Sequence, residues 1–89
     1  MSISIDSIVL VMIDRLNREG APYGIRALVK HCRLADKTIS KAIKQLEAQR
    51  RLRVLRGAPG TRHEYVILDQ PDDVDLLAAS IHLGEYYGQ

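Results

Sequence analysis

Ala35-Asp36-Lys37-Thr38-Ile39-Ser40-Lys41-Ala42-Ile43-Lys44-Gln45-Leu46-Glu47-Ala48-Gln49-Arg50-Arg51 carries two patterns in one period. Ile39, Ala42, Ile43 and Leu46 recur at i, i+3, i+4 and i+7, the spacing of one apolar stripe on an α-helix. At 3.6 residues per turn the opposite face collects Lys37, Lys41, Lys44 and Ala48, with Ser40 and Gln45 on the shoulders. Surface helices commonly interleave acids and bases four residues apart. Here three ammonium groups share a face that carries no acid. Such a row suits a polyanion better than it suits plain solvent.

The wider chain repeats that asymmetry. Its formal net charge is only +2. Residues 26–62, however, hold eleven Lys and Arg against Asp36 and Glu47, a net +9, between an N-terminal part at −1 and a C-terminal part at −6. A basic centre with acidic flanks draws a polyanion to one side of the molecule and repels it from the other.

Eighty-nine residues, 46% of them apolar and 27% charged, predict a single globular domain. With no Trp and no Phe, its core must be built from Ile, Leu, Val and Ala, with Tyr at the edges. The longest apolar run, Ile8 to Ile13, is far short of a membrane span and lacks the basic start of a signal peptide. Cys32 has no second cysteine to pair with and reads as a small buried apolar residue, in keeping with a reducing cytosol. No metal, redox or nucleotide motif is present, and no acid, base and nucleophile cluster can be assembled. The expectation is therefore a cytoplasmic, nucleoid-associated, non-enzymatic protein with no cofactor, no metal and no evident small-molecule effector. His31 and His82 are too scattered for a metal site, and His63 reads as a strand surface residue.

The other elements follow in order. Residues 2–5 alternate and suit a short strand or a lead-in. Ser4 or Asp6 caps a first helix over about 6–19, which Gly20 ends. That helix has more apolar surface than one face needs, because Leu10 and Val11 lie off its main stripe. A break at 21–24 leads to a short helix at about 24–32 with Ile25, Leu28, Val29 and Cys32 inward, then a turn at Arg33-Leu34. Two short helices joined by such a turn form a helix-turn-helix pattern. After Arg51 the period changes to two. Residues 52–56 and 62–68 read as strands around a tip at 57–61, with Arg53, Arg56 and Arg62 on or beside it. Pro71, Asp72 and Asp73 open a last helix, about 72–84. It carries two apolar stripes: Val74, Leu77, Ala78 and Ile81, and separately Leu76, Ala79 and Leu83. One stripe covers the domain and the other needs a partner. Tyr86 and Tyr87 read as an interface pair or as a frayed tail.

Residues 20–68 resemble the winged helix-turn-helix DNA-binding domain of bacterial transcription regulators of the GntR/MarR type. Leu28-Val29 is similar to that family's Leu-Ala in the first helix of the motif, and Leu34 to the apolar residue of its turn. Thr38-Ile39-Ser40-Lys41-Ala42-Ile43-Lys44-Gln45-Leu46-Glu47 resembles its Thr-Val-Ser-Arg-Ala-Leu-x-x-Leu-Glu recognition helix, and Arg53 to Tyr65 its wing. The resemblance implies a winged helix-turn-helix, and together with the flanking helices the expected fold is α+β and mostly helical, with a core over 6–68 and an extra C-terminal helix outside the resemblance. The resemblance also implies that Lys37, Thr38, Ser40, Lys41, Lys44 and Gln45 face double-stranded DNA, and that small regulators of this kind dimerise through terminal helices.

Three positions depart from the pattern. Arg33 stands where the turn often has Gly, Ala35 where a Ser usually caps the helix, and Arg50 where Gly often precedes the wing. Each departure costs on the order of 1 kcal/mol; Asp36 is the substitute cap. Lys37, Lys41 and Lys44 are then expected on phosphates, Ser40 and Gln45 on base edges, and Arg56 and Arg62 on the backbone or minor groove. The expected assembly is a homodimer through Leu10, Val11, Leu76 and Leu83, and the expected role a repressor acting by operator occupancy. The alternatives are a plasmid or phage replication or partition factor and a winged-helix protein-interaction module.

Overall fold

The structure, a computed structural model, describes residues 4–57 and 63–84. Four helices and one antiparallel hairpin follow in the order α1 (Ile5–Glu19), α2 (Ile25–Cys32), α3 (Asp36–Ala48), β1 (Leu52–Leu55), β2 (Glu64–Ile67) and α4 (Asp73–Leu83). The class is α+β and mostly helical. None of the described helices is long and apolar enough to cross a membrane.

Helix α1 is the central beam. Ser4 caps it, its hydroxyl accepting from the Ser7 amide at 3.4 Å, and Ile5 is already helical; residues 2 and 3 of the expected lead-in lie outside the described residues. Gly20 closes it with φ of 80°, a left-handed value that glycine adopts without steric cost. Ile8, Val9, Leu10 and Ile13 have no exposed surface, and Val11 has 1%. The helix is apolar almost all round because α2, α3, β2 and α4 all pack on it.

That packing corrects the expected interface. Leu10 and Val11 are interior residues of this chain, covered by its own elements, and offer nothing to a second copy. Leu76 is half-buried and shares a cleft with Val11, and Leu83 packs on the main core. The Leu76, Ala79 and Leu83 stripe is thus the inward one. Val74, Leu77 and Ile81 remain outside, 73%, 53% and 52% exposed. Polar residues decide this choice. Asp75 and Ser80 are buried on the inward side of α4, where apolar periodicity alone would not put them.

Both find partners. Asp75 accepts from Arg51 Nη2 at 2.7 Å, from Ser7 Oγ at 2.5 Å and from the Asp72 amide at 3.0 Å. Ser80 Oγ donates to the Leu76 carbonyl. Asp72 and Asp75 also form a reciprocal capping box, which fixes where α4 begins. Burial alone would raise the Asp75 carboxyl. The bonds from Arg51, Ser7 and the Asp72 amide outweigh it and hold the group at about 2, against an ordinary 3.8. A charge this enclosed is tolerated only because it is fully partnered.

The hairpin pairs Leu52 with Ile67, Arg53 with Val66, Val54 with Tyr65 and Leu55 with Glu64. Leu52, Val54, Tyr65 and Ile67 turn toward the helices, while Arg53, Leu55, Glu64 and Val66 turn out. Arg51 anchors its base. Its carbonyl accepts from the Leu68 amide, and its guanidinium reaches Asp75 and Asp69. One residue therefore ties the root of the hairpin to α4.

The departures at the turns are borne in the backbone. Arg33 and Arg50 have φ of 57° and 59°, left-handed values where glycine would be unstrained. Ala35 occupies the cap position of α3 with no side-chain bond to the helix. Asp36 does not replace it. It is the first residue of α3, and its carboxylate accepts instead from Ser40 Oγ at 3.3 Å.

Candidate nucleic-acid interface

Ile39, Ala42, Ile43 and Leu46 bury one side of α3, and helix geometry then dictates its other three sides. Lys37, Lys41 and Lys44 stand exposed opposite the core. Among the described residues none of them has an acidic partner within salt-bridge distance. Three arginines are paired: Arg18 with Asp14, Arg51 with Asp75 and Arg56 with Glu47. The lysine face holds concentrated, uncompensated charge.

The two shoulders differ. On the α1 side, Thr38, Lys41 and Gln45 line a shallow cleft with Ile5 and Asp6. The Gln45 amide lies 2.8 Å from the Asp6 carboxylate, a distance at which its nitrogen donates once the amide is turned toward that group, and Gln49 Nε2 donates to the same group at 3.3 Å. On the hairpin side, Ser40 donates to Asp36, and Arg56 donates through both terminal nitrogens to Glu47 at 3.2 and 3.4 Å. Between α3 and the hairpin runs a cleft of about 340 Å³. Ile25, Ile43, Val54 and Tyr65 supply its apolar surfaces; Ser40, Lys44, Arg56 and His63 supply polar ones.

The floor beneath that cleft is braced. Tyr23 and Tyr65 stack with ring centroids 5.8 Å apart. Asn17 joins them, accepting from the Tyr23 hydroxyl at 2.6 Å and donating to the Tyr65 carbonyl at 2.9 Å. Burial, with Tyr65 as neighbour, pushes the Tyr23 phenol up to about 12. In the core, Cys32 is fully enclosed, and burial alone pushes its thiol up to about 11. Its carbonyl is 2.7 Å from His82 Nε2, which ties α4 to the end of α2.

The sequence-predicted residues thus fall into groups. Lys37, Lys41 and Lys44 share one open face. Thr38 and Ser40 are half-buried at its edges. Gln45 is exposed beside Asp6, and Arg56 is paired with Glu47. Arg53 is separate from them: it lies on the outward face of the hairpin opposite Val66. Arg62 lies outside the described residues. Sequence reasoning missed Asp6 as the neighbour of Gln45 and Glu47 as the partner of Arg56. It also left His63 as plain strand surface, whereas His63 lines the cleft beside Lys44 and Arg56. Comparison with protein-family models, with curated proteins and with solved structures finds no match to this chain.

Proposed function

We propose that this chain is a winged helix-turn-helix protein that binds double-stranded DNA as a homodimer and represses transcription by occupying an operator. The observation that carries the reading is the lysine face of α3. Three lysines at helical spacing, free of acidic partners, stand on an exposed helix whose opposite side is locked into the core. In this reading α2, the Arg33-Leu34 turn and α3 are the helix-turn-helix, α3 enters the major groove, and the hairpin is the wing. The lysines take phosphates. Ser40 and Gln45 are the base readers, and Arg53 and Arg56 serve the flanking backbone.

The dimer uses α4. Val74, Leu77 and Ile81 make an exposed apolar row that the domain does not cover, and such rows mark interfaces more often than bare surface. Pairing about α4 leaves both lysine faces free for two half-sites.

Recovery of retained fragments from a pool of random duplexes tests this role. One inverted repeat, with two half-sites about one or two helical turns apart, is the expected result. Directly repeated sites would favour a replication or partition factor. No enrichment at all would contradict sequence-specific binding.

A further inference from the structure

The cleft between α3 and the hairpin holds a polar group that the fold leaves unsatisfied. Tyr65 is only 8% exposed, and its ring stacks on Tyr23. Among the described residues its hydroxyl makes no hydrogen bond, although it is not sealed into the core. The charges that act on it are Arg56 and Glu47, both walls of the cleft, so the hydroxyl opens there. Burial raises the phenol, which keeps it a donor near neutral pH. Native proteins rarely leave so buried a polar side chain without a partner.

The rest of the lining divides in two. Ile25, Ile43, Val54 and the Tyr65 ring make an apolar floor, and Ser40, Lys44, Arg56 and His63 stand at the rim. Glu47 neutralises Arg56, whereas Lys44 has no acidic partner among the described residues. Lys44 and Arg56 against Glu47 leave one net positive charge. An apolar hollow of about 340 Å³ with a few convergent polar groups is the usual construction of a small-molecule site.

We infer that this cleft binds a small monocarboxylate with an apolar body. The body covers Ile25, Ile43 and Val54, the Tyr65 hydroxyl donates to the carboxylate, and Lys44 supplies the counter-charge. A bare phosphate makes no use of the apolar floor, and a neutral ring leaves Lys44 uncompensated. The site is invisible in the sequence because α2, α3 and both strands each contribute to it. An occupant stands between α3 and the wing and is expected to weaken DNA binding. That consequence, unlike the site, rests on the DNA reading above.

Sodium benzoate is the probe, titrated into the isotope-labelled full chain and followed by amide shifts. Saturable shifts at Ile25, Ser40, Ile43, Val54 and Tyr65 are expected, with a Kd of about 1 mM. Acetate lacks the body and benzyl alcohol lacks the charge, and each should bind at least about tenfold more weakly. Tyr65→Phe keeps the ring and should weaken benzoate about tenfold. Lys44→Met should weaken it about three- to fivefold; Lys44 is exposed, so this variant tests the site even if the phenylalanine disturbs the core. Shifts spread over Lys37 and Lys41, and as strong with acetate, would mean loose anion attraction and overturn the inference. Benzyl alcohol binding as tightly as benzoate would overturn it, as would wild-type affinity in both variants. In fluorescence anisotropy, benzoate should weaken DNA binding more than an equal concentration of acetate does. A wild type that binds benzoate in the cleft but no DNA at low salt overturns the DNA reading and leaves the site standing.

Discussion

Arg51 Nη2 lies 2.7 Å from Asp75 Oδ2, and this ion pair joins the root of the hairpin to the inward face of α4. Arg51 is 20% exposed at its side chain and Asp75 6%, so neither charge is well solvated. Removing Arg51 leaves the buried Asp75 carboxylate with only Ser7 and the Asp72 amide, and removing Asp75 leaves Arg51 with only the exposed Asp69. Either loss costs up to about 3–5 kcal/mol at such sites. Arg51→Ala and Asp75→Ala are expected to be among the most destabilising polar substitutions in the chain. Urea denaturation checks this, and a loss under about 1 kcal/mol would mean that the pair is incidental.

The same group predicts an acid response. Asp75 has a folded pKa depressed to about 2 from an ordinary 3.8, so it stabilises the fold where the unfolded carboxyl is ionised. Its contribution is fully present above about pH 4 and is lost as pH falls toward 2. Thermal melts between pH 5 and 2 should show stability falling through that window. In Asp75→Asn the fall should be shallower, because the proton no longer has that site to bind.

Leu10 and Val74 separate the core from the surface. Leu10→Ala deletes a fully buried side chain and should cost about 2–5 kcal/mol. Val74→Glu with Leu77→Glu and Ile81→Glu should leave the melting midpoint of the monomer nearly unchanged, since these positions are over half exposed. The same triple change should abolish self-association in ultracentrifugation. A wild-type protein that is monomeric at tens of micromolar would contradict the α4 dimer.

The strained turns predict gains. Arg33→Gly and Arg50→Gly relieve left-handed backbone at φ near 60° and should each stabilise by up to about 1 kcal/mol. Ala35→Ser supplies the missing cap of α3 and should add a similar amount. Neither Arg33 nor Arg50 belongs to the lysine face. Either glycine variant should therefore lose at most a modest, salt-sensitive part of its DNA affinity.

How much of this was legible in the sequence depends on the residue. Apolar periodicity and glycine placed the helices and strands to within a residue or two, because each element packs one face on a common core. The same rule failed for α1 and α4. Leu10 and Val11 read as surplus when α1 was taken to have one neighbour, yet it has four packed on different sides. On α4, Asp75 and Ser80 look like solvent residues until Arg51 and Ser7 are seen to satisfy the carboxylate. The lysine row could be read directly because it is local to one helix. The approach of Gln45 to Asp6 could not. It joins residues 39 positions apart, and only the packing of α1 on α3 brings them together.

The central claim is that the α3 lysine face binds DNA, and the salt dependence of that binding tests it most directly. On a duplex holding a single half-site, about six phosphate contacts by one subunit should make log K fall with log salt at a slope near −5, about 0.9 per phosphate neutralised. Between 50 and 200 mM salt the affinity should drop about a thousandfold. Lys37→Ala, Lys41→Ala and Lys44→Ala combined should reduce the magnitude of that slope by about three while leaving the melting temperature unchanged. A wild-type affinity that hardly moves with salt, or a triple variant with the wild-type slope, would contradict the account.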